Sequence, residues 1–192
     1  MDLVEKIKIL QNHLKVRNFK KVIEGSKVLL NKMPNNDYLL NITGMAYQGL
    51  SQHDNSIKCF NRALKHSPNN IAAMNNLANS LKAIGKLEES KNLYENILKI
   101  NPNYINAYNN YANLKTLVND YDGAIQLYKK AYSIIEKMDN VPNSTVTGIL
   151  FSLAAAYQSA NKIEETQEIV KKILSIDPSH VGAHKLTGSL IK

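Results

Sequence analysis

Two pairs of adjacent asparagines, Asn75-Asn76 and Asn109-Asn110, stand 34 residues apart, and Asn79 and Asn113 repeat at the same distance. An asparagine amide presents one acceptor oxygen and two donor hydrogens. A row of such amides can pair bidentately with a peptide backbone, whatever the peptide's side chains. Asparagine is also a poor helix former, about half a kcal/mol worse than alanine at each position. With 25 asparagines among 192 residues, compositional bias is the plain alternative, so the placement of the amides matters more than their number.

Other residue types offer less chemistry. No Ser/His/Asp or Cys/His arrangement and no acid/base carboxylate pair stands out, so the chain reads as a non-enzyme. His180 and His184 are four apart and could share a metal on a helix, but no third ligand accompanies them. They read instead as a helix cap and a packing residue, and no metal is expected. The single cysteine, Cys59, excludes an internal disulfide and a cysteine-based zinc site. It reads as a small buried hydrophobe, and a reducing, cytoplasmic location follows as the expectation. There are eight glycines and no dinucleotide or P-loop fingerprint, so no cofactor is expected.

Composition bounds the rest. The chain is 44% hydrophobic and 21% charged, enough to bury a core. Asp2 and Glu5 interrupt the start, which does not read as a signal peptide. The longest apolar stretch, 149–157, is far shorter than the ~20 residues of a membrane span. Lys and Arg outnumber Asp and Glu by 24 to 16, a net +8. Residues 1–36 carry eight of the bases and three acids. This basic end reads as a solvated capping face. With one Arg and one aromatic, Phe19, it lacks stacking surface, which disfavours nucleic acid as a partner.

The elements that must position the amides follow from one period. Pro34, Pro68 and Pro102 are 34 apart. Gly44, Ala78, Ala112, Ala154 and Gly188 step by 34, 34, 42 and 34, and Phe60, Tyr94, Tyr128 and Val170 by 34, 34 and 42. Independent columns thus share one period and one insertion of eight. Within a unit, Met74, Leu77, Ala78 and Leu81 fall on one helical face, and Ile57, Phe60, Ala63 and Leu64 on another, which predicts two helices per unit. The small residue lets two helices approach, and the aromatic fills the space between neighbouring units. Proline ends each second helix, and Asn36, Asn70 and Ser179 read as caps of the next. Gly85-Lys86, Asn119-Asp120 and Asn161-Lys162 read as the turns between paired helices.

A 34-residue helix-turn-helix with these columns resembles the tetratricopeptide repeat, over essentially the whole chain. The resemblance implies an all-α, right-handed superhelical solenoid. Repeats fall at 3–36, 37–70, 71–104, 105–138 and 147–180, with an insertion at about 139–146 that reads as a loop and a final helix at 181–192. The fourth repeat matches best. The first is degenerate, with Val22 and Ser26 where alanine and an aromatic are usual, and reads as a cap. Leu186, Leu190 and Ile191 cannot all be buried against the fifth repeat, so the last helix is expected to self-associate or to continue into further chain.

The resemblance also implies a concave groove lined by the first helices. In repeats two to four its positions include Tyr38, Asn41, Ile42, Met45, Asn75, Asn76, Asn79, Lys82, Asn106, Asn109, Asn110 and Asn113. Eight of the 18 groove positions are asparagine, well above its share of the chain. Asn76-Leu77-Ala78 and Asn110-Tyr111-Ala112 are similar to the arrays of O-linked N-acetylglucosamine transferases. Asparagine is a family habit at Asn76, Asn79, Asn110 and Asn113, so Asn41, Asn75, Asn106 and Asn109 carry the excess. The family's carboxylate clamp would place Asn75, Asn79, Asn110, Gly148 and Ser152, which lack every cation, so an acidic chaperone tail is disfavoured. The expected function is a non-catalytic scaffold. Its groove takes an extended peptide or a partner helix through the asparagines, with Tyr38, Met45 and Lys82 selecting side chains. The alternative is a substrate-recognition arm of a larger enzyme, such as a sulfotransferase or glycosyltransferase fusion.

Overall fold

The computed structural model describes residues 2–190, with side chains through Gly188. Every regular element among them is an α-helix. In chain order these are α1 (Leu3–Lys15), α2 (Phe19–Lys32), α3 (Asp37–Gly49), α4 (His53–His66), α5 (Ile71–Ala83), α6 (Leu87–Ile100), α7 (Ile105–Leu117), α8 (Tyr121–Ile135), α9 (Asn143–Ser159), α10 (Ile163–Ile176) and α11 (Val181–Leu190). The helices pair in chain order, α1 with α2 through α9 with α10, and α11 follows.

Local chemistry sets the ends of the helices. Asn36 Oδ1 accepts the Leu39 N–H at 2.9 Å, and Asn70 Oδ1 accepts that of Ala73 at 3.1 Å. These are the expected side-chain caps. The last helix departs from expectation. Ser179 donates its backbone N–H and hydroxyl to Asp177, while His180 Nδ1 accepts the Ala183 N–H at 3.1 Å. His180, read as a helix cap, is the cap there, and Ser179 is not. His184 is exposed, with Nε2 2.9 Å from the Pro178 carbonyl, and is not a packing residue.

All five interhelical turns within the repeats place one residue in the left-handed region: Arg17, Ser51, Gly85, Asn119 and Asn161, with φ of 58°, 58°, 80°, 61° and 57°. Glycine and asparagine accept this conformation readily. Arg17 and Ser51 do so at a cost and carry no turn signature in the sequence.

The helices form two compact units, Met1–Ile100 and Asn101–Lys192. In unit 1 the first helices α1, α3 and α5 alternate with the second helices α2, α4 and α6. The close approach of α3 and α4 needs Gly44, where a Cβ would stand 2.4 Å from the Phe60 ring. Phe60 packs onward against Leu77 and Leu81 of the next repeat. The first repeat meets the same demand with the sizes exchanged. Its small column holds Leu10 and its aromatic column Ser26, both buried. The sequence therefore looks degenerate where the packing is reorganised.

In unit 2 the corresponding aromatic, Tyr128, packs with Ala112, Leu153 and Tyr157. The fifth repeat uses Ala154 and Val170. The insertion is only partly loop. Helix α9 begins at Asn143 and runs 17 residues, against 13 in α3, α5 and α7. A turn containing Asn140 at φ 58° precedes it, and Val141 packs with the cluster of Ala131, Ile135 and Ile149. Leu186 of α11 packs against Ala183, Leu150 and Val170. The Leu190 side chain and Ile191 lie outside the described residues, so their expected exposure has no structural counterpart here.

Candidate functional site

The asparagines share helices as expected, but they differ in what they bond. In α3 and α5, Asn76 Nδ2 donates to Asn41 Oδ1 at 3.1 Å. Gln48 Nε2 donates to the Asn76 carbonyl and to Ser80 Oγ, both at 2.8 Å. Ser80 Oγ is in turn 2.7 Å from Ser56 Oγ in the interior. Asn75 is only 6% exposed, too buried to serve as a surface amide. Ile42, a groove position by repeat register, is buried with Leu10, Leu29 and Leu39.

Asn79 and Asn113 have a common internal role. Each accepts a tyrosine hydroxyl at 2.7 Å, from Tyr94 and Tyr128 respectively. Both pairs join the first and second helix of one repeat. Burial pushes the Tyr94 hydroxyl pKa up to about 12 and that of Tyr128 in the same direction, so both stay protonated donors at neutral pH. Where the second repeat has Met45 in place of this asparagine, its aromatic is Phe60, which needs no acceptor. The register thus holds a polar pair or an apolar pair. Two of the predicted site residues thus have their oxygens already bonded within the fold, each to a tyrosine hydroxyl.

The side-chain selectors also divide. The Tyr38 hydroxyl accepts from Gln11 Nε2. Met45 is half-buried against Phe60, Leu77 and Leu81. Lys82 is half-buried with no ion pair among the described residues, and burial lowers its ammonium pKa from the ordinary value.

Unit 2 carries the open polar surface. Asn106 is exposed and Asn109 half-buried, and neither amide has a hydrogen bond among the described residues. They line a cavity of about 290 Å³ between α7 and α9, with Ser144, Thr145, Gly148 and Ser152 opposite. Ser144 and Gly148 also line an adjoining cavity of about 490 Å³, which reaches Asp177 and His180. The space beside Gly148 is open, since a Cβ there would meet nothing within 4 Å. Asn110 is half-buried beside this surface, on the same helix. The sequence pointed to Asn106 and Asn109 but missed Ser144 and Thr145. Those two come from the added turn of α9, and the only signal for them was an insertion that read as loop.

Among the described residues no group of three or more His, Cys, Asp or Glu could hold a metal ion, and no helix is long and apolar enough to cross a membrane.

Comparison with known proteins agrees with this geometry. The tetratricopeptide repeat family matches residues 69–137 and, through a second description of the same repeat, residues 39–70. No curated protein matches the chain. Solved structures do. TTC0263, a thermophilic tetratricopeptide repeat protein of Thermus thermophilus, superposes with a TM-score of 0.77 at 14% identity, over 97% of both chains. BtubC of P. vanneervenii gives 0.81 at 19% identity, over 92% of this chain and 80% of that one. YrrB, described as a tetratricopeptide repeat protein with an unusual peptide-binding site, gives 0.68 at 14% identity over 97% and 92%. At such identities the likeness establishes the fold.

Proposed function

The chain belongs to the tetratricopeptide repeat family, and on that premise we propose that it is a non-catalytic scaffold whose first-helix faces bind an extended polypeptide. The observation that carries this reading is the pair of unbonded amides, Asn106 and Asn109, opening onto a cavity with Ser144, Thr145 and Ser152. Every polar group named there is neutral. Such a surface matches the alternating donors and acceptors of a peptide backbone better than it matches a charged ligand.

The other predicted residues take graded parts. Asn79 and Asn113 offer amide donors while their oxygens hold Tyr94 and Tyr128. Asn41, Asn75, Asn76 and Asn110 act mainly in maintaining the helix faces. Lys82 is available to a ligand carboxylate. Tyr38 and Met45 contribute partly covered surface. The description of YrrB as peptide-binding supports the reading by likeness of fold.

Selection of displayed random linear peptides on the purified chain tests it, with Asn106→Ala/Asn109→Ala and Gly148→Leu variants alongside. Gly148→Leu fills open space and replaces a helical glycine, so its fold is retained. A class of the peptides selected on the natural sequence should lose at least about tenfold in affinity for both variants, the loss of a few buried hydrogen bonds. Survival of binding to both variants by every selected peptide would remove this assignment.

A further inference from the structure

The second helices hold a different cleft. In unit 1, α4 and α6 flank α5 and leave a cavity of about 460 Å³. Its floor is apolar, made by Ile57, Leu77, Leu81 and Leu93, and Ile84 at its edge is 39% exposed. Asp54 stands at the mouth, exposed and without an ion pair among the described residues. Lys86, also at the mouth, turns to Glu89 at 2.9 Å within its own segment.

Unit 2 contains the same cleft in the same register, between α8 and α10 over α9, and there it is closed. The place of Leu81 is taken by Tyr157, which is 5% exposed and packs with Ile125 and Leu153, the counterparts of Ile57 and Leu77. The place of Asn61 is taken by Lys129, whose Nζ lies 5.5 Å from the Tyr157 ring centroid. The counterparts of Asp54 and Lys86 are Asp122 and Lys162, which meet across the mouth at 2.6 Å. Closure thus requires three things: an aromatic ring on the floor, a cation over the ring, and a cation on the aspartate. Unit 1 keeps the aspartate and the aliphatic floor and lacks all three.

We propose that the unit 1 cleft docks a segment of a partner protein, which inserts an aromatic side chain onto Ile57, Leu77, Leu81 and Leu93 and sets a Lys or Arg against Asp54. The occupant's chemistry follows from the filled copy of the cleft. An aromatic anchor in an apolar pocket supplies affinity, and a rim ion pair supplies orientation. This surface involves none of the amides assigned to the first-helix faces, so it is a second docking site on the scaffold.

The test transplants the closure. Random linear peptides are selected on the natural chain and counter-selected on Leu81→Tyr, which supplies the missing ring from within. Ile57→Lys, on the half-exposed side of the floor, is a second blocking variant should Leu81→Tyr fail to fold. The enriched peptides should share an aromatic residue near a Lys or Arg. Their affinity should fall at least about tenfold in either blocking variant and about threefold in Asp54→Ala. Asn106→Ala/Asn109→Ala should leave it unchanged. Peptides without the aromatic and basic pair, binding that ignores the blocking variants, or failure to enrich any peptide would each overturn the proposal. A dimer in sedimentation that Leu81→Tyr dissolves would also overturn it, by giving the cleft to a second copy of the chain.

Discussion

Repeats two and three in unit 1 and repeats four and five in unit 2 are built in one register and finish different surfaces. On the first helices of unit 1 the amides are engaged, Asn76 donating to Asn41 and Gln48 to the Asn76 backbone carbonyl. On those of unit 2, Asn106 and Asn109 are unbonded and face a cavity. On the second helices the contrast reverses. The cleft over Leu81 is open, while its counterpart over Tyr157 is closed by a ring and an ion pair. A repeat array therefore does not distribute binding surface evenly. The backbone supplies equivalent places, and side chains contributed from other helices decide which of them stay open to a partner.

The largest test of this contrast is to open the closed cleft. Tyr157→Leu should remove buried ring contacts and the seat of Lys129, destabilising the chain by about 2–3 kcal/mol in urea denaturation. A loss below about half a kcal/mol would mean the cleft can stay open without cost, and the contrast would lose its energetic meaning. Next comes the internal amide. Asn79→Ala removes the oxygen that the Tyr94 hydroxyl bonds at 2.7 Å, leaves it its contact with Ser90, and should cost about 1 kcal/mol. Adding Tyr94→Phe should recover much of that, as Met45 with Phe60 already illustrates. Additive losses in the double-mutant cycle would deny the pairing.

The interhelical turns give a smaller effect. Unit 2 fills its left-handed positions with Asn119 and Asn161, whereas unit 1 uses Arg17, Ser51 and Gly85. Ser51→Gly should raise stability by about 0.5–1 kcal/mol. No gain in the thermal midpoint would show the strain to be absorbed elsewhere. The smallest change concerns the mouth of the closed cleft. The Asp122 hydrogen bond raises the Lys162 pKa above its ordinary value. The contribution of that pair is thus present below the ordinary lysine pKa and fades as pH rises through the raised one. Asp122→Asn should return the Lys162 pKa to its ordinary range, as followed by NMR titration, and leave the denaturation midpoint nearly unchanged, because exposed pairs contribute little.

The helix pairs were legible because their signals are local. Period, small column, aromatic column and proline are read within one repeat, and the helices follow from apolar spacing along the chain. The first repeat shows how far that goes. Its columns fail at Leu10 and Ser26, yet the hairpin forms, because volume is conserved across the two positions and not within either. Ser179 and His180 both read as caps of the last helix from sequence, and only the folded geometry decides that His180 is the one that reaches the Ala183 N–H.

The candidate site was legible only as a set of residue types. The sequence by itself determined the all-α repeat and the concentration of asparagine on the first helices. Tertiary structure decided which amides are free. Asn79 is matched to a tyrosine 15 residues on, Asn41 to an amide 35 residues on, and the carbonyl of Asn76 to a glutamine 28 residues back. Asn106 and Asn109 have no such match among the described residues. A hydrogen bond needs both groups within about 3 Å, and for residues on different helices that distance is set by how the helices pack.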